Sequence, residues 1–139
     1  AKALKYSTEA IELNPKEESY YRRRAKVLVL VSKEEALRDI LFAIELNPKN
    51  LATLRNVLPL MYLLSLQNPP EVTVDTNYLP KTQEFCAYLF ERYPNDAGIL
   101  VSLAHYQKKL GLEADLSQTL TRIKRLRPDL LEWHPLLLE

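Results

Sequence analysis

The chain is predicted to be all-α, built from antiparallel helix pairs stacked along its length. Three observations carry this. Pro15, Pro48, Pro94 and Pro128 each close an apolar stretch, at intervals of 33, 46 and 34 residues, and a period near 34 marks a repeat architecture. Apolar residues recur at three and four, as in Leu37, Ile40, Leu41 and Ile44, or Leu116, Leu120 and Ile123, which is the period of a helix with one buried face. Only 2 of 139 residues are glycine, and Leu, Ala, Glu, Lys and Arg are abundant; these residues favour helix.

Periodicity and breakers together place helices at about 1–13, 17–30, 34–46, 51–67, 80–92, 96–109, 113–126 and 129–138. The four repeat prolines cannot continue the helices before them, because proline lacks an N–H and fixes φ. Asn50 and Asp96 stand where an N-cap is needed, each with a side-chain oxygen able to accept from the first turn. Turns between helices are short, so neighbours should run antiparallel. Pro59 falls inside a predicted helix. Proline there costs ~3 kcal/mol and removes the donor to the Arg55 carbonyl, so the helix should kink or divide. The one long break is 68–79, where Pro69 and Pro70 stop a helix and Val72-Thr73-Val74 favours extended backbone. Insertions in repeat proteins map to loops, often on the binding face.

The phrases around the prolines resemble the tetratricopeptide repeat, a unit of helix A, tight turn, helix B and closing proline. Residues 18–50 match best. Tyr21 and Ala25 are the large and small residues of helix A, Ala36 and Ala43 the small residues of helix B, and Pro48 closes; Ser32 stands where a glycine turn is usual. Residues 97–130 match in length, with Leu100, Leu103 and Ala104 in helix A, Gly111 at the turn and Pro128 at the close; Leu116 and Ile123 replace the small residues of helix B. Residues 1–17 look like a helix B alone, with Ala3, Ala10 and Pro15 in place. Residues 51–96 are a degenerate copy interrupted by the loop 68–79, with Leu58, Thr82 and Leu89 at positions that are usually small. Residues 131–139, very apolar, read as a capping segment. The resemblance implies one α-α superhelical domain over 1–139. Its first helix lacks a partner helix, so the chain reads as a fragment of a longer protein, with that end fraying or covered by another copy. Exposed terminal helices would allow a dimer.

In superhelices of this family the inner surface is lined mostly by helix A. With Tyr21, Ala25 and Leu28 in the core, the open stripe of residues 18–30 is Ser19, Arg22, Arg23, Lys26, Val29 and Leu30. The same offsets give Ala52, Arg55, Asn56, Pro59, Tyr62 and Leu63, then Gly98, Val101, Ser102, His105, Lys108 and Lys109. Six of these eighteen positions are Lys or Arg and none is Asp or Glu, in a chain of 19 basic and 18 acidic residues. Such a groove suits an acidic extended peptide or a C-terminal carboxylate. The partner-binding candidates are Arg22, Arg23, Lys26, Arg55, Asn56, Tyr62, His105, Lys108 and Lys109. Against this stands the reading of a solvated face with local pairs such as Glu18–Arg22. The carboxylate clamp of chaperone-binding family members matches only at Arg22 and Asn56; Lys26, Gly98 and Ser102 depart from it. An RNA-binding helical repeat is the alternative, since Tyr62 and His105 interleave the basic stripe, as is an adaptor of co-chaperone type with an atypical clamp.

The net charge of +1 gives no global field that implies nucleic acid or membrane. The apolar run 57–66 is too short to span a bilayer. The single Cys86 excludes an internal disulfide and points to a cytoplasmic or other reducing intracellular compartment; with Leu89 and Phe90 on one stripe it reads as a core residue. Two distant histidines and one cysteine form no metal-ligand pattern, and no glycine-rich phosphate loop is present. No catalytic residue, metal or cofactor is therefore nominated, and the expectation is a protein-binding scaffold without enzyme activity. The circular dichroism spectrum should be dominated by helix; substantial β content would contradict this fold class.

Overall fold

The computed structural model describes residues 2–67 and 73–139. Among these residues there are eight α-helices and no strand: α1 (Lys2–Leu13), α2 (Glu18–Leu28), α3 (Lys33–Leu46), α4 (Leu51–Leu64), α5 (Leu79–Arg92), α6 (Ala97–Lys109), α7 (Glu113–Leu126) and α8 (Asp129–Trp133), followed by a 3₁₀ turn, Pro135–Leu138. Helices α1, α3, α5 and α7 each end two residues before a repeat proline. The residue between is forced out of the helical region by the proline ring that follows; Asn47 has φ −140° and ψ 64°, Arg127 φ −147° and ψ 73°. Helices α4 and α6 then start on a side-chain cap. Asn50 Oδ1 accepts from Thr53 N–H and Asp96 Oδ1 from Ile99 N–H, both at 3.0 Å.

The chain divides into two compact units, residues 1–79 and 80–139. In the first, α1 packs on α2, α2 on α3, and α4 on both α2 and α3. The expected core positions Tyr21, Ala25, Leu28, Ala36 and Ala43 are all buried. Ala36 and Ala43 let α2 and α3 approach closely, and Tyr21 fills the space at the end of the pair. Its hydroxyl donates to the Pro15 carbonyl at 2.8 Å, and its ring meets Phe42 at 4.7 Å. Arg24 of α2 grips Asp39 of α3 through two bonds of 2.7 and 2.8 Å. Helix α2 is shorter than its periodicity suggests. It stops at Leu28; Val29, its C-cap, keeps helical backbone, with its N–H on the Ala25 carbonyl at 2.9 Å, and is buried rather than open. Ser32, in the place of a turn glycine, instead caps α3, its Oγ accepting from Glu35 N–H at 3.3 Å. Leu13 is 88% exposed.

Helix α4 runs unbroken through Pro59. It ends at Leu64, short of residue 67, because the following residues pair with the far side of the insertion. Leu66 and Val74 form an isolated antiparallel bridge, Gln67 N–H donates to Thr73 C=O, and Asp75 N–H donates to Ser65 C=O, each at 2.6 Å. The extended character anticipated for 72–74 thus appears at Val74. The rest of the inserted loop, 68–72, lies outside the described residues. Lys33, one residue after the α3 cap, locks this base: its Nζ bonds Asp75 Oδ2 at 2.6 Å, donates to the Leu66 carbonyl, and lies over the Tyr78 ring.

In the second unit, α6 and α7 form the central pair. Gly111, φ +73°, makes their turn in the left-handed region, which costs glycine least. Leu100, Ala104, Ile123 and Leu137 form the core, with Phe90 of α5, Leu116 and Leu120 packed against it. Leu116 and Ile123 are accommodated at positions expected to be small. Gln107 and Thr119 join α6 to α7 inside the core by a 2.7 Å bond. Among the tyrosines, Tyr21 is buried, Tyr62 and Tyr106 are half-buried, and Tyr88 is exposed. The predicted helix 129–138 is broken at His134, since Pro135 disfavours helical backbone in the residue before it.

The Lys33 lock carries a prediction. Lys33, by its hydrogen bond first and then the Asn77 N–H, holds the Asp75 carboxyl below the usual carboxylate range. A carboxylate whose folded value is lowered adds stability that is full above its ordinary value near 4 and lost as pH falls through the lowered one. Lys33→Met should cost about 1–3 kcal/mol in urea denaturation at pH 7, and its deficit relative to the unaltered chain should shrink below about pH 4.

Candidate functional site

Helices α2 and α4 are the first helices of successive pairs, and each presents the same stripe to the same space. The positions are i, i+3, i+4 and i+7, one face of a helix. From α2 come Ser19, Arg22, Arg23 and Lys26; from α4 come Asn56, Pro59, Leu60 and Leu63. They line an open cleft of about 310 Å³. Pro59, Leu60 and Leu63 give it an apolar wall; Arg22, Arg23 and Lys26 give it positive charge, and no acid lines it.

The three cations differ. Arg22 is clamped through two nitrogens to both oxygens of Glu18, at 2.6 and 3.1 Å, and Glu18 is 9% exposed. The pair spans i to i+4. Glu18 therefore cancels most of the Arg22 charge and fixes the guanidinium in place. Arg23 and Lys26 are exposed, and Arg23 also rests 6.0 Å from the centre of the Tyr20 ring. The positive character available to a ligand comes chiefly from these two.

A second cleft, of about 300 Å³, opens between α1, α2 and α3 and is lined in part by Arg24, Glu35, Arg38 and Asp39. Two acids balance two bases there. The Arg24–Asp39 bond is its strongest feature and holds Arg24 firmly charged. This cleft offers no net charge to recognise.

Of the residues proposed from sequence, the structure brings Arg22, Arg23, Lys26 and Asn56 together at one cleft. Arg55 and Tyr62 lie on α4 outside its lining, Arg55 exposed and Tyr62 half-buried. His105, Lys108 and Lys109 belong to the second unit. There His105 and Lys108 meet the chain's own segment 134–138: Lys108 Nζ donates to the Leu136 carbonyl, and His105 Nε2 is 3.4 Å from His134 Nδ1. Lys109 Nζ lies 5.5 Å from the centre of the Tyr106 ring. Leu60 was missing from the sequence stripe, although it follows Asn56 by one helical turn. No group of three or more His, Cys, Asp or Glu able to hold a metal occurs among the described residues, and no helix there is long and apolar enough to cross a membrane.

Cys86 lines a small cleft with Gln107, Asp115 and Thr119. The residue is buried, and that burial, with Asp115 nearby, pushes the thiol up to about 12. Comparison with models of known protein families finds no match, and comparison with curated proteins finds none either. The functional reading therefore rests on the geometry of the α2–α4 cleft. For Cys86, the thiol should react slowly with a maleimide or disulfide reagent at pH 8 in the folded chain, by about a hundredfold or more against the urea-unfolded chain; equal rates would place the thiol at the surface.

Proposed function

We propose that this chain is a protein-interaction module of tetratricopeptide type, a superhelix of helix pairs with no catalytic centre. It holds an acidic or carboxylate-bearing segment of a partner protein in the cleft between α2 and α4. The observation that carries this is the lining: three cations and no acid beside an apolar wall, in a chain of almost balanced charge. Arg23 and Lys26 take the partner's carboxylates. Asn56 supplies an amide with both donor and acceptor for its backbone. Leu60, Leu63 and Pro59 receive one apolar side chain. Arg22, immobilised by Glu18, shapes the cleft wall more than it contributes charge. A reducing intracellular compartment suits the lone buried thiol.

The reading is tested by fluorescence anisotropy with a labelled extended peptide rich in Asp and Glu, against its Asn/Gln counterpart. The acidic peptide should bind more tightly and weaken with salt, since exposed charges are screened over ~8 Å at physiological ionic strength. Arg23→Glu with Lys26→Glu should weaken binding by about tenfold or more, while Arg24→Gln, outside the cleft, should destabilise the chain without that selective loss. Equal affinity for both peptides, or an undiminished double variant, would refute the cleft. A tight, sequence-selective mobility shift with single-stranded RNA at physiological salt would replace this reading with nucleic-acid binding.

A further inference from the structure

Residues 134–138 lie as a strap against α6, held at three points. Leu137 is 2% exposed and packs into the core with Leu100, Ala104 and Ile123. Lys108 Nζ donates to the Leu136 carbonyl. The third point joins two imidazoles, His105 of α6 and His134 at the break after α8, whose ring nitrogens are 3.4 Å apart and whose rings meet edge to face at 5.3 Å. These are the only histidines in the chain. Leu136 and Leu138, either side of the anchor, are exposed.

We propose that residues 134–138 form a proton-released strap, shut over α6 while the two imidazoles are neutral and freed when both are charged. A neutral pair can share one hydrogen bond, one ring N–H donating to the other ring's bare nitrogen. With both rings protonated, all four ring nitrogens are donors, the bond has no acceptor, and two cations face each other at contact distance.

The surroundings supply no relief. The charges acting on His105 are His134 from the strap and Lys109 and Lys108 from its own helix. From α7, packed on the same core, Arg122 lies over Phe90. From α8, Asp129 is bonded to Arg127, and Glu132 is exposed. Burial first, then the neighbouring cations, hold His105 below the usual histidine value. A base whose value is lowered in the shut state favours that state above its ordinary value and loses the preference as pH falls. The window therefore opens downward from about 6.5, the ordinary histidine value. Release exposes His105 and Lys108, two of the α6 positions that the sequence places on the open stripe. The strap needs no ligand, so it stands or falls apart from the peptide-binding reading.

Hydrogen exchange on the 139-residue chain tests it, with rates corrected for the intrinsic pH dependence of exchange. The Leu137 amide, which donates to the His134 carbonyl at 3.1 Å, should lose protection between pH 7.5 and pH 5.0. The α7 amides should keep theirs. His105→Gln and His134→Gln each replace an imidazole with a neutral amide, and each should remove the pH response at Leu137. Protection at Leu137 that does not change with pH overturns the strap. So does a loss shared equally by α7, or a pH response that survives in both variants.

Discussion

Proline denies a helix its next backbone donor and forces the residue before it out of helical backbone. Everything else in this chain is arranged around that refusal. Because α1, α3, α5 and α7 all stop two residues short of a proline, the helix after each starts within a few residues. A helix that must reverse so soon buries its apolar stripe first against its own neighbour. The small residues at 25, 36 and 43 then set how near α2 and α3 come. That closeness in turn brings α4 against both, and the cleft between α2 and α4 follows from it.

The cleft is a product of placement rather than composition. Acids and bases are nearly equal in number, yet Glu18 is turned to Arg22 and Asp39 to Arg24, so each carboxylate is spent on a guanidinium of the same helix or its partner. Arg23 and Lys26 remain on the surface beside an apolar wall. A ligand approaching there meets two cations whose field is not opposed by an acid in the lining. The opposite cleft, with its balanced Arg24, Glu35, Arg38 and Asp39, shows that size alone does not distinguish a site.

Much of this was legible in the residues. The helix stops followed from proline chemistry, and the caps at Asn50 and Asp96 from side chains able to accept a backbone N–H. Seven of the eight cleft residues lie on the open stripes obtained by helical spacing, because a helix converts position directly into direction. What escaped depends on contacts between distant residues. Val29 falls on the open stripe by helical spacing and keeps helical backbone, yet it is buried. The bridge between Leu66 and Val74 is flanked by Lys33, far away in sequence, which bonds the Leu66 carbonyl and Asp75. The strap on α6 follows from a proline, Pro135, whose effect on His134 was readable, but its destination was not. Nothing in the spacing of His105 and His134 announces that they meet.

The Lys33–Asp75 contact spans 42 residues, whereas the α1–α2, α2–α3 and α3–α4 contacts join neighbours in the chain. Closing a longer loop costs more chain entropy, so the expectation is that adjacent helices pair before this contact forms. A contact made late contributes little to the speed of folding and much to the barrier against unfolding. Loss of the Lys33 ammonium is therefore expected to quicken the opening of the first unit more than it slows its closing.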